Sequence, residues 1–261
     1  MNRYKALTVQ ADPKTIKGEP LGYRTAAQYL APSTLSGVMD VCRFSTDGCE
    51  TSCLNTAGRA GIMRVHELTN IIQQARIART VLFNTDRDAY WRRLVYELMM
   101  VVADAEYDDL DPAARLNATS DLPWERMRVR YGNVDAKNIM ELFPQVQFYD
   151  YTKYPEAQRP EHTLPRNYHL TYSYAEGRED EAARALDAGR NVAAVMRSPS
   201  GNGSYNKWRI DRPTEWALGG TTYPVIDGTT HDLRFLDARG SIVGLRPLGQ
   251  AVHDTSGFVL N

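Results

Sequence analysis

The three cysteines of this chain lie within one short polar segment, as Cys42, Cys49 and Cys53 in a C-x6-C-x3-C spacing. We call residues 42–53 the cysteine segment. Three thiols cannot all pair as disulfides, and buried structural cysteines normally scatter along apolar strand and helix faces. Thiolates are soft ligands that select zinc, copper or iron–sulfur clusters, and a short loop lets several of them converge. The spacing therefore predicts a metal site built from these three thiols.

The identity of the metal depends on how many ligands the site has. A structural zinc site needs four, so a histidine or carboxylate from elsewhere would have to join the thiolates. A 4Fe–4S cluster held by three thiolates keeps one iron open to substrate, cofactor, water or a further side chain. Gly58, Arg59 and Gly61 follow the thiols just before a predicted helix, where N–H groups and positive charge would stabilise an anionic cluster. The sequence therefore favours the cluster, with zinc and unliganded thiols as the alternatives.

Polar side chains close the predicted parallel strands. In parallel α/β sheets the functional groups collect where strands end. Asn117 is among the residues that close one such strand, and Asp150 and Lys153 close the next. We interpret Asn117 as a cofactor-binding candidate and Asp150 and Lys153 as catalytic candidates, against the alternative that such residues cap helices or satisfy turns. Further strand-end residues of this kind are Thr119, Ser120, Asp121, Thr152, Ser173, Tyr174, Glu176 and Arg197.

The densest charged group of the chain surrounds His231 and Asp232. A histidine beside carboxylates serves as a ligand, an acid or a base, so both residues are catalytic candidates. The alternative is a hairpin histidine that only bonds a neighbouring carboxylate. His66 follows the cysteine segment on a predicted helix, where it either approaches the metal or lies on a solvated face. The other charged members of the group around His231 are Asp227, Arg234 and Asp237.

Repeated strand–crossover–strand units predict an α/β fold with a parallel sheet. About six such units would curl into a full or partial (β/α) barrel, although an open sheet satisfies the same pattern. Apolar residues that recur at three- and four-residue steps predict the helices. The predicted helices span residues 62–83, 90–102, 124–143 and 179–188, and the predicted strands span residues 4–9, 114–119, 146–151, 168–173, 191–196 and 241–245.

A length of 261 residues suits one domain of this class, and we interpret the whole chain, residues 1–261, as a single α/β domain. It has five successive parts. These are an N-terminal strand and loop (1–35), a cysteine loop (36–61), helices and parallel strands (62–197), a Gly-, Ser-, Asn- and Pro-rich candidate lid (198–220) and a β-rich tail (221–261).

Charge and apolar content argue against two classes of partner. The 31 Lys and Arg residues balance 32 Asp and Glu residues, so no global basic field favours nucleic acid. No apolar run approaches the roughly 20 residues that a membrane-spanning helix needs. An odd number of clustered cysteines and the lack of a signal-peptide pattern indicate a reducing compartment. We expect a cytoplasmic protein that acts on a small-molecule substrate or with a redox partner.

Several motifs along the chain together carry a resemblance to a known family. They are the cysteine segment with Leu54–Arg59, Arg76–Thr80, Leu116–Asp121, Phe148–Lys153, Asp227-Gly228 and His231–Phe235. With these motifs the chain resembles the gene product 88 family of bacteriophage proteins, over most of its length from about residue 36. The resemblance implies a viral origin, hence the host-cell cytoplasm, and a single domain, while the family name implies no particular activity.

A weaker likeness is to radical S-adenosylmethionine enzymes. In that family a three-cysteine loop follows the first strand of a full or partial α/β barrel and binds a 4Fe–4S cluster with one open iron. In this chain the three-cysteine segment likewise follows the first predicted strand and precedes the predicted helices and parallel strands. The spacing differs, because that family shows C-x3-C-x2-C, and no Gly-Gly-Glu segment follows a second strand. These two differences argue against S-adenosylmethionine binding, while the prediction of a cluster is unchanged.

These observations together predict a phage-encoded iron–sulfur protein that binds a 4Fe–4S cluster through Cys42, Cys49 and Cys53. Arg59 and Asn117 would lie around the cluster. A radical or other redox enzyme is the first hypothesis. A non-enzymatic electron-transfer or binding protein is the second, and a zinc-stabilised protein that handles nucleic acid is the third.

Overall fold

The structure is a computed structural model that describes residues 4–9, 16–63, 68–200 and 205–261. Strands and helices alternate along most of the chain. The strands are β1 (Thr8–Val9), β2 (Tyr23–Ala27), β3 (Asp111–Arg115), β4 (Val129–Tyr131), β5 (Val134–Ala136), β6 (Gln147–Thr152), β7 (Tyr168–Ser173), β8 (Val192–Met196), β9 (Glu215–Leu218), β10 (Thr221–Asp227), β11 (Ile242–Leu245) and β12 (Val259–Leu260). The α-helices include α1 (Ser33–Ser36), α2 (Asp47–Thr51), α3 (Ile71–Thr85), α4 (Arg87–Tyr107), α5 (Ile139–Leu142), α6 (Glu179–Asp187) and α7 (Tyr205–Asp211).

The chain divides into two compact units, which are described separately. Unit 1 comprises Met1–Arg43, Ile62–Asp150 and Leu164–His169, and unit 2 comprises Phe44–Gly61, Tyr151–Thr163 and Leu170–Asn261. The prediction of a single domain stays a prediction.

In unit 1, β2, β3 and β6 run parallel, and β1 pairs antiparallel with β2. The last residues of β2 and β3 are buried beneath α4, as expected for parallel strands covered by a helix. An aromatic group fills the space beside these strands. Its members are Phe83, Tyr90, Trp91 and Trp124, with ring centroids 4.8 to 6.3 Å apart.

Both long helices of unit 1 begin at side-chain caps. Asn70 accepts hydrogen bonds from the N–H groups of Ile72 and Gln73 at 3.0 Å, so α3 starts at residue 71 and not at residue 62 as predicted. Asp86 caps α4 by accepting from Ala89 N–H at 3.0 Å. The helix predicted over residues 124–143 is wrong, because this region holds a 3-10 turn, the antiparallel β4–β5 hairpin and only the short α5.

In unit 2, the four strands β7, β8, β11 and β10 are successively paired and parallel, and β12 also pairs parallel with β8. Strand β9 pairs antiparallel with β10. Buried apolar side chains of these strands pack against Ala182, Ala185 and Leu186 of α6. Helix α6 confirms the helix predicted over residues 179–188. Gly189 follows it with a φ of 81°, a left-handed conformation that suits glycine.

The mixed α/β class and the mostly parallel strands are confirmed. Closure into a barrel is not found, because the described ladders of each unit run in an open order. An antiparallel strand ends the parallel run in each case, β1 in unit 1 and β9 in unit 2. The candidate lid is in part regular structure, since α7 and β9 lie within it; residues 201–204 are outside the described part. None of the described helices is both long and apolar enough to cross a membrane.

Candidate functional site at the strand ends of unit 2

Helix α2 carries Cys49 and sits on the loop that follows β7. Thr46 caps the helix by accepting from Cys49 N–H at 3.4 Å. Gly48 N–H donates to Glu176 Oε1 at 2.6 Å. A Cβ on Gly48 would lie 2.1 Å from Ser256 Oγ and 2.8 Å from Glu176 Oε1, so any larger residue here requires these two side chains to move. The cysteine helix is therefore held directly at a carboxyl strand end.

The side chain of Cys49 packs against a small apolar cluster made by Ala175, Ala251, Phe258 and Val259. Cys53 lies one turn further along the chain and is half-buried. Its sulfur accepts from the N–H group of Asn55 at 3.4 Å, which caps a 3-10 turn. Both thiols of unit 2 thus lie in short, tightly turned backbone rather than in an open loop.

Lys153 and Ser173 meet where β6 and β7 end. Lys153 Nζ donates to Ser173 Oγ at 2.8 Å, and both side chains are half-buried. The ammonium group also lies 5.7 Å from the ring centroid of Phe258, within cation–π range. Cys49 packs against the cluster that contains Phe258, so the thiol and the ammonium group both lie near this apolar cluster. We call Cys49, Lys153, Ser173, Glu176 and Phe258 the strand-end site.

Cys42 belongs to unit 1. Its backbone N–H donates to Asp40 Oδ1 at 2.7 Å, and its thiol lies 4.0 Å from the carbonyl oxygen of Thr119. The N–H group of Asp121 donates to Val41 O at 2.7 Å, so the chain leading to Cys42 is fastened to the loop after β3. This loop contains strand-end residues that the sequence analysis singled out.

The donor types of the cysteine segment suit a thiolate metal site, and their arrangement does not yet form one. None of the three cysteines forms a disulfide, and all three are half-buried. Within the described residues, no three His, Cys, Asp or Glu side chains are grouped closely enough to hold a metal ion. Arg59 is exposed in the 3-10 turn Gly58–Gly61. His66 lies outside the described residues.

Asn117 and Asp150 form a buried polar network in unit 1. Asn117 N–H donates to Asp150 Oδ1 at 2.6 Å, and Tyr168 OH donates to Asp150 Oδ2 at 2.9 Å. The side-chain oxygen of Asn117 accepts from Ser120 Oγ, Leu122 N and Trp124 Nε1 at 2.8 to 3.0 Å. These bonds fix the turn after β3, and both candidate residues are almost fully buried.

His231 lies in a charged cluster with Arg234 and Asp237. Arg234 Nη2 lies 3.2 Å from His231 Nδ1, and a guanidinium only donates, so Nδ1 accepts and the neutral ring carries its hydrogen on Nε2. Nε2 lies 3.9 Å from Asp237 Oδ1. Arg234 is fully buried, with Nη1 3.1 Å from Asp237 Oδ2. Burial raises the pKa of Asp237 to about 6, although the charge of Arg234 opposes the rise.

Asp232, the other candidate of this group, is buried and is contacted by Tyr151 of β6. Tyr151 OH donates to Asp232 Oδ1 at 3.4 Å. The structure therefore separates the predicted residues into three places: Lys153 with Cys49 in the strand-end site, His231 with Asp232 in the charged loop, and Asn117 with Asp150 in unit 1. Phe258 and Gly48 were not predicted, because neither carries a polar group that marks it in the sequence.

The fold and these sites define a mixed α/β protein with mostly parallel strands and with a thiol and a lysine at one set of carboxyl strand ends. The family model named gene product 88 matches residues 2–261, so the chain belongs to the gene product 88 family. The likeness to radical S-adenosylmethionine enzymes receives no support from this match. Comparison with curated proteins gave no match, and comparison with solved structures gave none.

Proposed function

We propose that the protein is a phage-encoded iron–sulfur protein that binds a 4Fe–4S cluster through Cys42, Cys49 and Cys53. The observation that carries the proposal is the position of Cys49, a soft ligand that packs against the apolar cluster containing Phe258, whose ring centroid lies 5.7 Å from Lys153 Nζ. Carboxyl strand ends are where open α/β sheets bind ligands. Membership in the gene product 88 family supports a phage origin, and a phage protein of this kind would act in the host cytoplasm.

When bound, such a cluster would supply one-electron or Lewis-acid chemistry. The residues of the strand-end site would serve it in separate ways. Lys153, oriented by Ser173, presents a positive charge to an anionic or carbonyl-bearing substrate. Glu176 fixes α2 and hence Cys49 through Gly48 N–H. Arg59 would place a further positive charge beside the thiolates.

The proposal requires metal binding to draw the three thiols together, because no group of three ligands is assembled among the described residues. Coupling of this kind is common, since a metal supplies free energy that orders its own ligands. The prediction is therefore a protein that gains protection from proteolysis around residues 42–61 when the cluster is present.

The direct test is anaerobic purification of the full chain, followed by iron, sulfide and zinc analysis and an absorption spectrum. We expect a brown protein with matching iron and sulfide, and loss of both in Cys49→Ser. Thr51→Ser is the matched control, because it changes an exposed hydroxyl residue of the same helix without removing a thiol. A colourless wild-type protein, or one zinc ion per chain, would overturn the cluster proposal.

A further inference from the structure

Unit 2 also contains a cleft whose lining differs from the strand-end site and includes no cysteine. It has a volume of about 510 Å³ and opens beside α7 and the carboxyl end of β10. Pockets of this size accept ligands as large as a nucleotide. It is lined by Asn206, Arg209, Ile210, Arg212, Asp227 and Thr230.

Arg209 and Asp227 form a fixed pair at one side of this cleft. Arg209 Nε donates to Asp227 Oδ2 at 3.0 Å. The other carboxylate oxygen of Asp227 accepts from Thr229 N–H at 2.8 Å and from the Thr229 hydroxyl group. Burial by itself would raise the pKa of Asp227, but the bonds from Thr229 and Arg209 and the charge of Arg212 hold it below its ordinary value. Asp227 is therefore ionised and already paired.

Arg212 supplies a second positive charge, so two guanidinium groups share the single carboxylate of this cleft. Its Nη1 donates to the backbone oxygen of Arg209. Its Nε is buried and has no hydrogen-bond partner in the part of the chain that the structure describes. A buried N–H group without a partner is costly, and a guanidinium fork matches the two oxygens of a phosphate or carboxylate. The cleft thus has two guanidinium groups, one carboxylate and an unused donor.

The position of the cleft also points to a ligand. Strand β10 is parallel to β11, and Asp227 is its last residue. Ligands of open α/β sheets bind outside such carboxyl ends. The side chain of Ile210 is 87% exposed, so an apolar surface lies beside the charged groups and can cover the non-phosphate part of a small molecule.

We propose that this cleft binds a small phosphate monoester, with the phosphate accepting from Arg212 Nε and the neighbouring Arg209–Asp227 pair forming part of the lining. The surplus of guanidinium over carboxylate groups favours phosphate, which carries more charge than a carboxylate. The inference does not depend on the cluster proposal, because none of the lining residues is a cysteine.

Isothermal titration of the full chain with inorganic phosphate and with glycerol phosphate tests the proposal. We expect saturable binding that weakens by about tenfold or more in Arg212→Gln. Arg212→Lys should bind with intermediate strength, since it keeps the charge and loses the fork. Arg239→Gln is the control, because Arg239 is an exposed arginine of the same unit that pairs with Glu161. Cys49→Ser should bind phosphate as the wild type does.

Three outcomes would overturn the proposal. One is equal phosphate binding by wild type and Arg212→Gln, with unchanged circular dichroism in both. The second is no binding at millimolar phosphate. The third is preference for succinate over phosphate, or for a single-stranded oligonucleotide with steep salt dependence, which would assign the cleft to another class of ligand. If Arg212→Gln fails to fold, Arg212→Lys and the control still decide the question.

Discussion

Single side chains in this protein show why residue type alone does not reveal a role. Asn117 and Lys153 both follow parallel strands, and their surroundings differ. The Asn117 amide is committed to a buried network with Ser120, Leu122 and Trp124. Lys153 is half-buried and meets Ser173 and the ring of Phe258. The sequence identified both as strand-end polar residues, and only the packing of distant segments distinguishes them.

Replacing Asn117 by alanine should destabilise the protein strongly. The substitution leaves the buried donors of Ser120, Leu122 and Trp124 without their acceptor, at a cost of roughly 3 kcal/mol. Chemical denaturation measures the free energy of unfolding. Asn133→Ala, at an exposed position, is the control and should change it by no more than about 0.5 kcal/mol. Equal stability of the two variants would show that the network contributes little.

Asp237 should make stability depend on pH. Its pKa is raised to about 6 in the fold from an ordinary value of 3.8, so the folded state binds more protons than the unfolded state between these values. The stabilising contribution of protonated Asp237 to the free energy of unfolding is therefore complete below about pH 4 and falls as the pH rises toward 6. Solvent screening limits the change to about 2 kcal/mol.

Denaturation of wild type and Asp237→Asn across pH 4 to 7 separates this effect from the titration of groups distant from Asp237, which titrate equally in both proteins. The difference in unfolding free energy, wild type minus variant, should decrease across the window and then level off. A difference that is flat or that rises with pH would contradict the assignment of a raised pKa to Asp237.

At the level of elements, the sequence predicted regular segments well and irregular ones poorly. Strands β7 and β8 and helix α6 lie where alternation and apolar periodicity placed them. The β4–β5 hairpin was missed, although Gly132-Asn133 is a hairpin signal and Gly132 has a φ of 50°. Its short strands carry too few apolar residues to compete with a helical interpretation of the surrounding sequence.

The position of helix α2 depends on a contact that no sequence pattern predicts. Gly48 brings the helix against Ser256 and Glu176, and Gly48→Ala would push these groups apart. We expect Cys49 in the metal-free protein to react several-fold faster with an alkylating reagent in this variant, because α2 is displaced. Mass spectrometry of the Cys49 peptide measures the rate.

Asp47→Ala serves as the control for this experiment, since Asp47 lies exposed on the same helix. Alanine has the higher helix propensity, so Gly48→Ala would stabilise α2 by about 1 kcal/mol if the neighbouring groups left room for a methyl group. A slower reaction of Cys49 in Gly48→Ala would therefore contradict the tight packing described here.

At the level of the whole molecule, family membership and fold class are established, and the chemistry is a proposal. The α/β class followed from repeated strand and helix signals along the chain. The predicted closure into a barrel is not found, because β1 and β9 pair antiparallel with the next strands of the chain, β2 and β10, and the alternation of strand and helix signals does not reveal strand direction. The near-neutral charge of −1 describes the whole chain and conceals the local arginines of the α7 cleft.

The central claim is that Cys42 shares one cluster with Cys49 and Cys53. The most direct test is the iron and sulfide content per chain of anaerobically purified Cys42→Ser, measured beside wild type and Thr51→Ser. The account predicts that wild type and Thr51→Ser contain matching iron and sulfide and that Cys42→Ser loses most of both. Full retention of iron and sulfide in a folded Cys42→Ser protein would contradict a site built from the three thiols.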